Sequence, residues 1–275
     1  MKKFSVIGNP VTHSLSPLLH NYWFKKYKIE AEYTMLEIEE DNIKSVLGKI
    51  KSREISGLNV TLPFKKKIIP HLDKIVNEAK DTNSVNTVFL DENENLIGEN
   101  TDVFGFQAGY LKEIVGIDKK NLKALVLGAG GVAPSAILAL QKCYIHNISI
   151  SNRTYDKALF LNKQFPTIKI VEWKNLTSET DKFDIIINAT SLGLKKGNEF
   201  ETLIDKTKPG LIYIDTIYNP FQTKMIKHLK SKNIKTYNGL NMFIYQGQKS
   251  FYIWNKINPE IDDKLVKILE NKIKK

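Results

Sequence analysis

The stretch Gly57-Leu-Asn-Val-Thr-Leu-Pro-Phe-Lys65 puts an amide, a hydroxyl and an ammonium just past a short apolar run. On an extended backbone Asn59 and Thr61, two apart, point to the same side. Pro63 has no N–H to give a ladder and ends the strand. Lys65 opens whatever follows. Such a cluster suits a polyol, which needs donors and acceptors for several hydroxyls and one group able to move a proton. A lysine-rich chain also leaves solvated lysines at strand ends, so the other polar clusters decide between the two readings.

Several such clusters recur along the chain. The loop Gly8-Asn-Pro-Val-Thr-His13-Ser14-Leu-Ser16-Pro17 enters a helix, with Ser16 expected as N-cap and Pro17 in the first turn. Ser14 has no expected capping role, and two serines two apart suit a hydroxyl or carboxylate ligand. His13 reads as structural. Ser84-Val-Asn86-Thr87 begins a hairpin and Gly98-Glu-Asn100-Thr-Asp102 ends it. Asp102 either caps the following helix or faces a cleft. Asn188-Ala-Thr190-Ser191 and Asp215-Thr-Ile217-Tyr218-Asn-Pro220 follow apolar strands. Open α/β sheets bind ligands at such carboxyl ends. Gln246 sits four after Met242, on one helix face.

Gly128-Ala129-Gly130-Gly131-Val132-Ala133 follows an apolar strand and opens a helix, fitting G-x-G-x-x-(G/A). The first glycine permits the tight turn and the second lets backbone approach a pyrophosphate. The small last residue lets helix and strand pack closely. N–H groups and the helix dipole then hold the anion. An NAD site carries a carboxylate at the end of the next strand. Here that strand ends Ser151-Asn152-Arg153-Thr154, with Lys157 one turn on. This donor-rich cup suits a ribose 2′-phosphate, which a planar guanidinium meets with two bonds, and the expected cofactor is NADP.

These side chains need a scaffold. Strand-length apolar runs (Phe4–Gly8, Ala31–Leu36, Gly57–Val60, Val85–Leu90, Leu96–Glu99) alternate with helical patterns at Leu15–Lys26, Asp41–Ser52 and Leu72–Lys80. A helical pattern from Phe104 to Val115 is broken at Gly116 and Asp118–Asn121. A second series follows: strands at Leu122–Leu127, Asn147–Ser151, Ile168–Val171, Asp184–Asn188, Leu211–Asp215 and Ile234–Tyr237, and helices at Val132–Lys142, Thr154–Phe165 and Phe221–Ser231. Helical patterns over Leu240–Trp254 and from Pro259 onward finish the chain. Such alternation predicts an α/β layered fold.

With 275 residues, 42% of them apolar, the chain can form one large or two ordinary globular domains. No apolar run approaches the ~18 residues of a membrane span, and the apolar stretch after Met1 is short for a signal peptide. Cys143 is the single cysteine, which excludes an internal disulfide and cysteine-based zinc. No metal-ligand cluster is present in the sequence, and the expected compartment is the cytoplasm. A net charge of +11 would suit nucleic acid, but Arg53 and Arg153 are the only arginines among 41 basic residues. The lysines are spread along the chain, so small anions, not nucleic acid, are the expected partners.

Together these motifs, in order over almost the whole chain, resemble the shikimate dehydrogenases, NADP-dependent reductases of 3-dehydroshikimate in aromatic amino acid biosynthesis. The family usually has Gly-Ala before Val-Asn-Thr, where this chain has Asn83-Ser84. The resemblance implies a two-domain α/β protein. Residues 1–103 and 239–275 would form an α/β substrate domain completed by C-terminal helices. Residues 104–238 would form a Rossmann-like NADP domain, with substrate in the cleft between. It places Ser14, Ser16, Asn59, Thr61, Lys65, Asn86, Asp102, Tyr218 and Gln246 around the substrate. Lys65 is then the proton-transfer residue and Asp102 its partner. Gly128 to Val132, Asn152, Arg153, Thr154, Lys157, Thr190, Ser191, Ile217 and Gly239 would hold NADP. The ligands are small molecules, with no membrane partner, and the chain would be a monomer or homodimer. Two other readings remain at this point: a quinate/shikimate dehydrogenase, and a non-catalytic NADP sensor on the same fold.

The reading of Arg153 is directly testable. Arg153→Ala should weaken NADP(H) binding about 10- to 150-fold, the value of a hydrogen bond to a charged group, and leave NAD binding nearly unchanged. Titrating both dinucleotides checks this; equal losses would mean that Arg153 shapes the loop and reads no phosphate.

Overall fold

The computed structural model describes residues 1–111, 114 and 121–274. The chain divides into two compact units, Met1–Gly105 with Ile244–Lys272, and Phe106–Phe243 with Ile273–Lys275.

The first unit contains β1 (Lys2–Gly8), α1 (Ser16–Lys26), β2 (Ala31–Glu37), α2 (Ile43–Lys51), β3 (Gly57–Val60), α3 (Phe64–Lys67), β4 (Lys74–Ile75), α4 (Glu78–Thr82), β5 (Thr87–Leu90) and β6 (Leu96–Glu99). Its strands form one mixed sheet in the order β2-β1-β3-β5-β6-β4. β1 pairs parallel with both β2 and β3, whereas β3, β5 and β6 run antiparallel. One set of buried side chains, including Ile7, Val46, Leu58, Phe64, Val85 and Val88, packs as an aliphatic core. An aromatic cluster of Phe4, His20, Trp23, Phe24, Tyr33, Phe251 and Trp254 forms a second. Each fully buried aromatic or aliphatic side chain contributes about 1.5–3 kcal/mol over exposure.

Two expectations need correction here. Leu72–Lys80 is not one helix. Asp73 and Val76 donate their N–H groups to Leu96 and Gly98, and the Asp73 carboxylate accepts from the Leu96 N–H, so this stretch extends as β4 against β6 before α4 begins. Backbone pairing with a neighbouring strand outweighs its helical spacing. Asp41–Ser52 likewise starts as a 3₁₀ turn, Glu40–Asn42, and becomes α-helical only at Ile43.

A short helix, α5 (Asp102–Phe106), runs into a π-helical turn, Gln107–Leu111. Residues 112, 113 and 115 of the helical pattern expected to Val115 lie outside the described residues, as do 116–120 of the expected break.

The second unit contains β7 (Lys123–Leu127), α6 (Ala133–Lys142), β8 (Asn147–Ser151), α7 (Tyr155–Gln164), β9 (Lys169–Ile170), α8 (Leu176–Glu179), β10 (Ile185–Asn188), β11 (Ile212–Asp215), α9 (Lys224–Ser231) and β12 (Lys235–Tyr237). Its sheet is parallel throughout, ordered β12-β11-β10-β7-β8-β9. In sequence order from β7 this is the 3-2-1-4-5-6 arrangement of doubly wound dinucleotide folds, with the order reversing between β7 and β10. β7 is buried after Lys123 and β10 throughout, as parallel strands covered on both faces must be. The last helices are α10 (Leu240–Asn255), within which the chain passes from the second unit to the first, and α11 (Asp263–Lys274).

His20 lies inside the aromatic cluster, fully buried and stacked on Tyr33 at 4.4 Å. Burial disfavours the imidazolium and lowers its pKa to about 3. The native state therefore binds fewer protons than the unfolded chain below the ordinary histidine value of ~6.5. The stability contributed by the neutral ring is fully present above that pH and is lost as pH falls toward 3. His20→Phe should flatten the fall in stability between pH 6.5 and 4.5, by about 2–3 kcal/mol at the lower pH. Urea unfolding of both proteins across this range checks it; parallel curves would contradict it.

Candidate active site

Lys65 lies in the short helix α3, just after the polar end of β3. Its carbonyl accepts the Val85 N–H at 2.8 Å, fixing the backbone against the strand leading to Asn86. Its ammonium meets Asp102 Oδ2 at 2.6 Å, and both side chains are almost wholly buried. Asp102 does not cap the helix it opens. Asn100 does that, its Oδ1 accepting the N–H groups of Asp102 and Val103 at 2.9 and 3.4 Å. The Asp102 carboxylate is thereby left for Lys65 and Asn86.

Asn86 is the centre of the surrounding network. Its Oδ1 accepts the Thr101 N–H at 2.8 Å, which orients the amide. Its Nδ2 faces Asp102 Oδ1 at 2.9 Å, Thr101 Oγ1 at 2.9 Å and Gln246 Oε1 at 3.3 Å. Asn59 lies next to it. Its Nδ2 faces the Asn86 carbonyl, Thr87 Oγ1 and Ser250 Oγ at 3.0–3.2 Å, and its Oδ1 accepts from the Tyr33 hydroxyl at 2.7 Å. Ser14 Oγ donates to Ser16 Oγ at 3.1 Å and accepts the Ser16 N–H at 3.2 Å. Capping is therefore reversed from expectation. Leu15 holds the N-cap position of α1 without a side-chain bond, and Ser14 serves the backbone of Ser16. Thr61 continues β3, giving its N–H to Ile7, and is half-buried.

Ser14, Ser16, Asn59, Lys65, Asn86, Asp102 and Gln246 thus gather within the first unit. Two members of the network were missed in the sequence. Ser250 is fully buried, one turn after Gln246 on α10, and contacts Asn59, Thr87 and Thr101. Its spacing from Gln246 was the available signal. Tyr33 is the one buried residue of β2, a strand whose other apolar residues, Ala31, Met35 and Leu36, stay at least partly exposed. The Asn83-Ser84 departure keeps its turn: Asn83 adopts the left-handed region, φ 47°, which asparagine tolerates better than most residues. Ser84 brings a buried hydroxyl that has no hydrogen-bond partner among the described residues.

In the second unit the glycine loop leaves β7 at Gly128, whose φ of +104° would strain any side chain. A Cβ there would also press on Thr190 and Ala189. Val132 occupies the N-cap position of α6. Asn152 accepts the Ala129 N–H at 3.1 Å and donates to the Thr154 carbonyl, so it braces the loop. Arg153 and Thr154 are exposed, as is Lys157 in α7. No carboxylate ends β8.

Beyond β10 and β11 a second network joins two loops. Asn188 Oδ1 accepts the N–H and hydroxyl of Thr190, and its Nδ2 meets Asp215 at 3.0 Å. Ser191 follows on the surface. Asp215 is fully buried and also accepts from the Ile217 N–H and Thr223 hydroxyl. Burial raises its pKa to about 6, against the opposing effect of these donors. The Ile217 carbonyl accepts the Gly239 N–H at 2.9 Å, and a Cβ on Gly239 would collide with the Thr216 carbonyl, so only glycine fits there. The Tyr218 ring packs on Phe243 at 4.9 Å.

Residues 6–88 match the shikimate dehydrogenase substrate binding domain, and residues 110–220 match the shikimate / quinate 5-dehydrogenase family. The chain belongs to the shikimate dehydrogenase family. It is 48% identical over 269 residues to shikimate dehydrogenase (NADP(+)) of Pelagibacter ubique, covering 98% of this chain and 99% of that one. Among solved structures, Aquifex aeolicus shikimate dehydrogenase is 34% identical with a TM-score of 0.88, covering 100% of this chain and 98% of the other. The Thermus thermophilus enzyme, solved with NADP(H) and shikimate, is 30% identical with a TM-score of 0.87, covering 99% and 100%. Asp102, Gly239 and Gln246 fall outside both matched domain segments but inside these full-length similarities. Among the described residues no three His, Cys, Asp or Glu side chains are placed to hold a metal, and no helix is long and apolar enough to cross a membrane.

Proposed function

We propose that the chain is a cytoplasmic enzyme catalysing the reversible NADPH-dependent reduction of 3-dehydroshikimate to shikimate, in aromatic amino acid biosynthesis. The buried Lys65–Asp102 pair inside a hydrogen-bonded polar cluster carries this reading. A cofactor sensor needs no such pair.

The first unit binds the substrate. Ser14 and Ser16 take its carboxylate or hydroxyl groups, and Asn59, Thr61, Asn86 and Gln246 its hydroxyl edge. The second unit binds NADP. Its residues fit that ligand: Gly128 leaves room where a Cβ would press on Thr190, the glycine loop leads into the N-terminus of α6, whose dipole favours a phosphate, and Arg153 stands exposed just past a strand that ends without a carboxylate. Asn152 and Asn188 brace the turns around this site, while Ile217 and Gly239 form the nicotinamide end.

NADPH, when bound, supplies a hydride to the ketone carbon. Lys65 gives a proton to the oxygen as negative charge develops there, and its positive charge stabilises that oxygen beforehand. Asp102 holds the ammonium in place and Asn86 holds Asp102. In the oxidation of shikimate the proton returns to Lys65.

The purified protein should reduce NADP with shikimate far better than with quinate, and better than it reduces NAD. Lys65→Ala should lower turnover by about 10²–10⁴, the usual contribution of a positioned acid–base group, with a smaller change in shikimate binding. Steady-state kinetics with the four substrate–cofactor pairs test both statements. Near-normal turnover in the variant would remove Lys65 from the chemistry.

A further inference from the structure

Asn59 lies in β3, and one side chain from the edge strand meets its amide oxygen. Tyr33, on the edge strand β2, is 1% exposed. Its hydroxyl donates to Asn59 Oδ1 at 2.7 Å.

The phenol is itself fixed from two sides. Asn21 on α1 clamps the Tyr33 backbone, giving its Nδ2 to the carbonyl and accepting the N–H, both at 2.9 Å. The ring lies flat on His20, 4.4 Å away and 5° from parallel. Burial holds the phenol protonated, so it is a donor throughout the working pH range.

The consequence falls on Asn59. Its Nδ2 has two hydrogens and faces three acceptors, so its donors are fully used within the protein. Its Oδ1 has two lone pairs, and Tyr33 takes one. The remaining lone pair is what Asn59 can offer a ligand, and it suits a hydroxyl donor. A flipped amide would point N–H groups at the Tyr33 hydroxyl and an oxygen at three oxygens, so the Tyr33 proton helps set which way the amide faces.

We propose that Tyr33 is a positioning residue of this site, which orients the Asn59 amide as a hydroxyl acceptor. The kinetic part rests on the function proposed above; the orientation of Asn59 does not.

The test is Tyr33→Phe, which keeps the ring and its stack on His20 and deletes one oxygen. The KM for shikimate should rise about 3- to 12-fold, the loss of a single hydrogen bond, with kcat and the KM for NADP within about twofold. The Asn59 side-chain amide protons, followed by NMR in the ligand-free protein, should exchange about 3- to 12-fold faster. Placing p-aminophenylalanine at position 33, which restores a donor at the same spot, should recover both values, and a purely structural role would not give that pattern. An unchanged shikimate KM with unchanged Asn59 exchange would overturn the proposal, even if the variant were less stable. Faster Asn59 exchange in a protein that never oxidises shikimate would leave Tyr33 as the orienting group and overturn the proposed activity instead.

Discussion

A lysine and an aspartate brought together out of water set the terms for the first unit. Removing both charges from solvent costs several kcal/mol per ion, and their attraction offsets this only when geometry and further hydrogen bonds are favourable. Lys65 and Asp102 meet at 2.6 Å with side chains 10% and 4% exposed. Each neighbouring feature supports that contact. The Lys65 carbonyl is held by Val85, the Asp102 backbone by Asn100, and the second carboxylate oxygen by Asn86. A buried, positioned ammonium beside a hydrogen-bonded polar cluster is an arrangement that a protein aiming only at stability has little reason to keep.

Hydrogen-bond capacity extends the constraint outward. Asn86 and Asn59 are buried amides whose N–H groups all face acceptors within the protein. An amide so fixed cannot turn without leaving buried groups unpaired, which costs about 1–3 kcal/mol each. The site is therefore formed before any ligand arrives. The second unit repeats the logic with Asn188 and Asp215, which lock the loops after β10 and β11.

Much of this was legible in the sequence because polar residues at the ends of apolar strands are conspicuous. The glycine loop, the carboxyl-end motifs and the Asn86 and Asp102 clusters all stand out by type and spacing. The supporting residues do not. Tyr33 reads as one of several apolar residues in a strand, and Ser250 as a small residue in an apolar helix. Only tertiary contacts show that their hydroxyls are used. The roles of Ser14 and Ser16 were exchanged for a similar reason: either hydroxyl suits the start of a helix, and the local backbone decides which N–H it meets. The false helix over Leu72–Lys80 shows that amphipathic spacing does not reveal strand pairing with a partner more than twenty residues away.

The central claim is that the Lys65–Asp102 pair exists for proton transfer, with its charge carried at some cost to the fold. The double variant Lys65→Met/Asp102→Leu replaces the pair with apolar side chains of similar size. Urea unfolding of this variant and of each single variant, together with turnover, is the most direct test. The double variant should be as stable as the parent or up to about 4 kcal/mol more stable, the single variants less stable by about 3–5 kcal/mol, and turnover lost in all three. A double variant that keeps turnover, or is destabilised by the sum of the two single losses, would contradict the account.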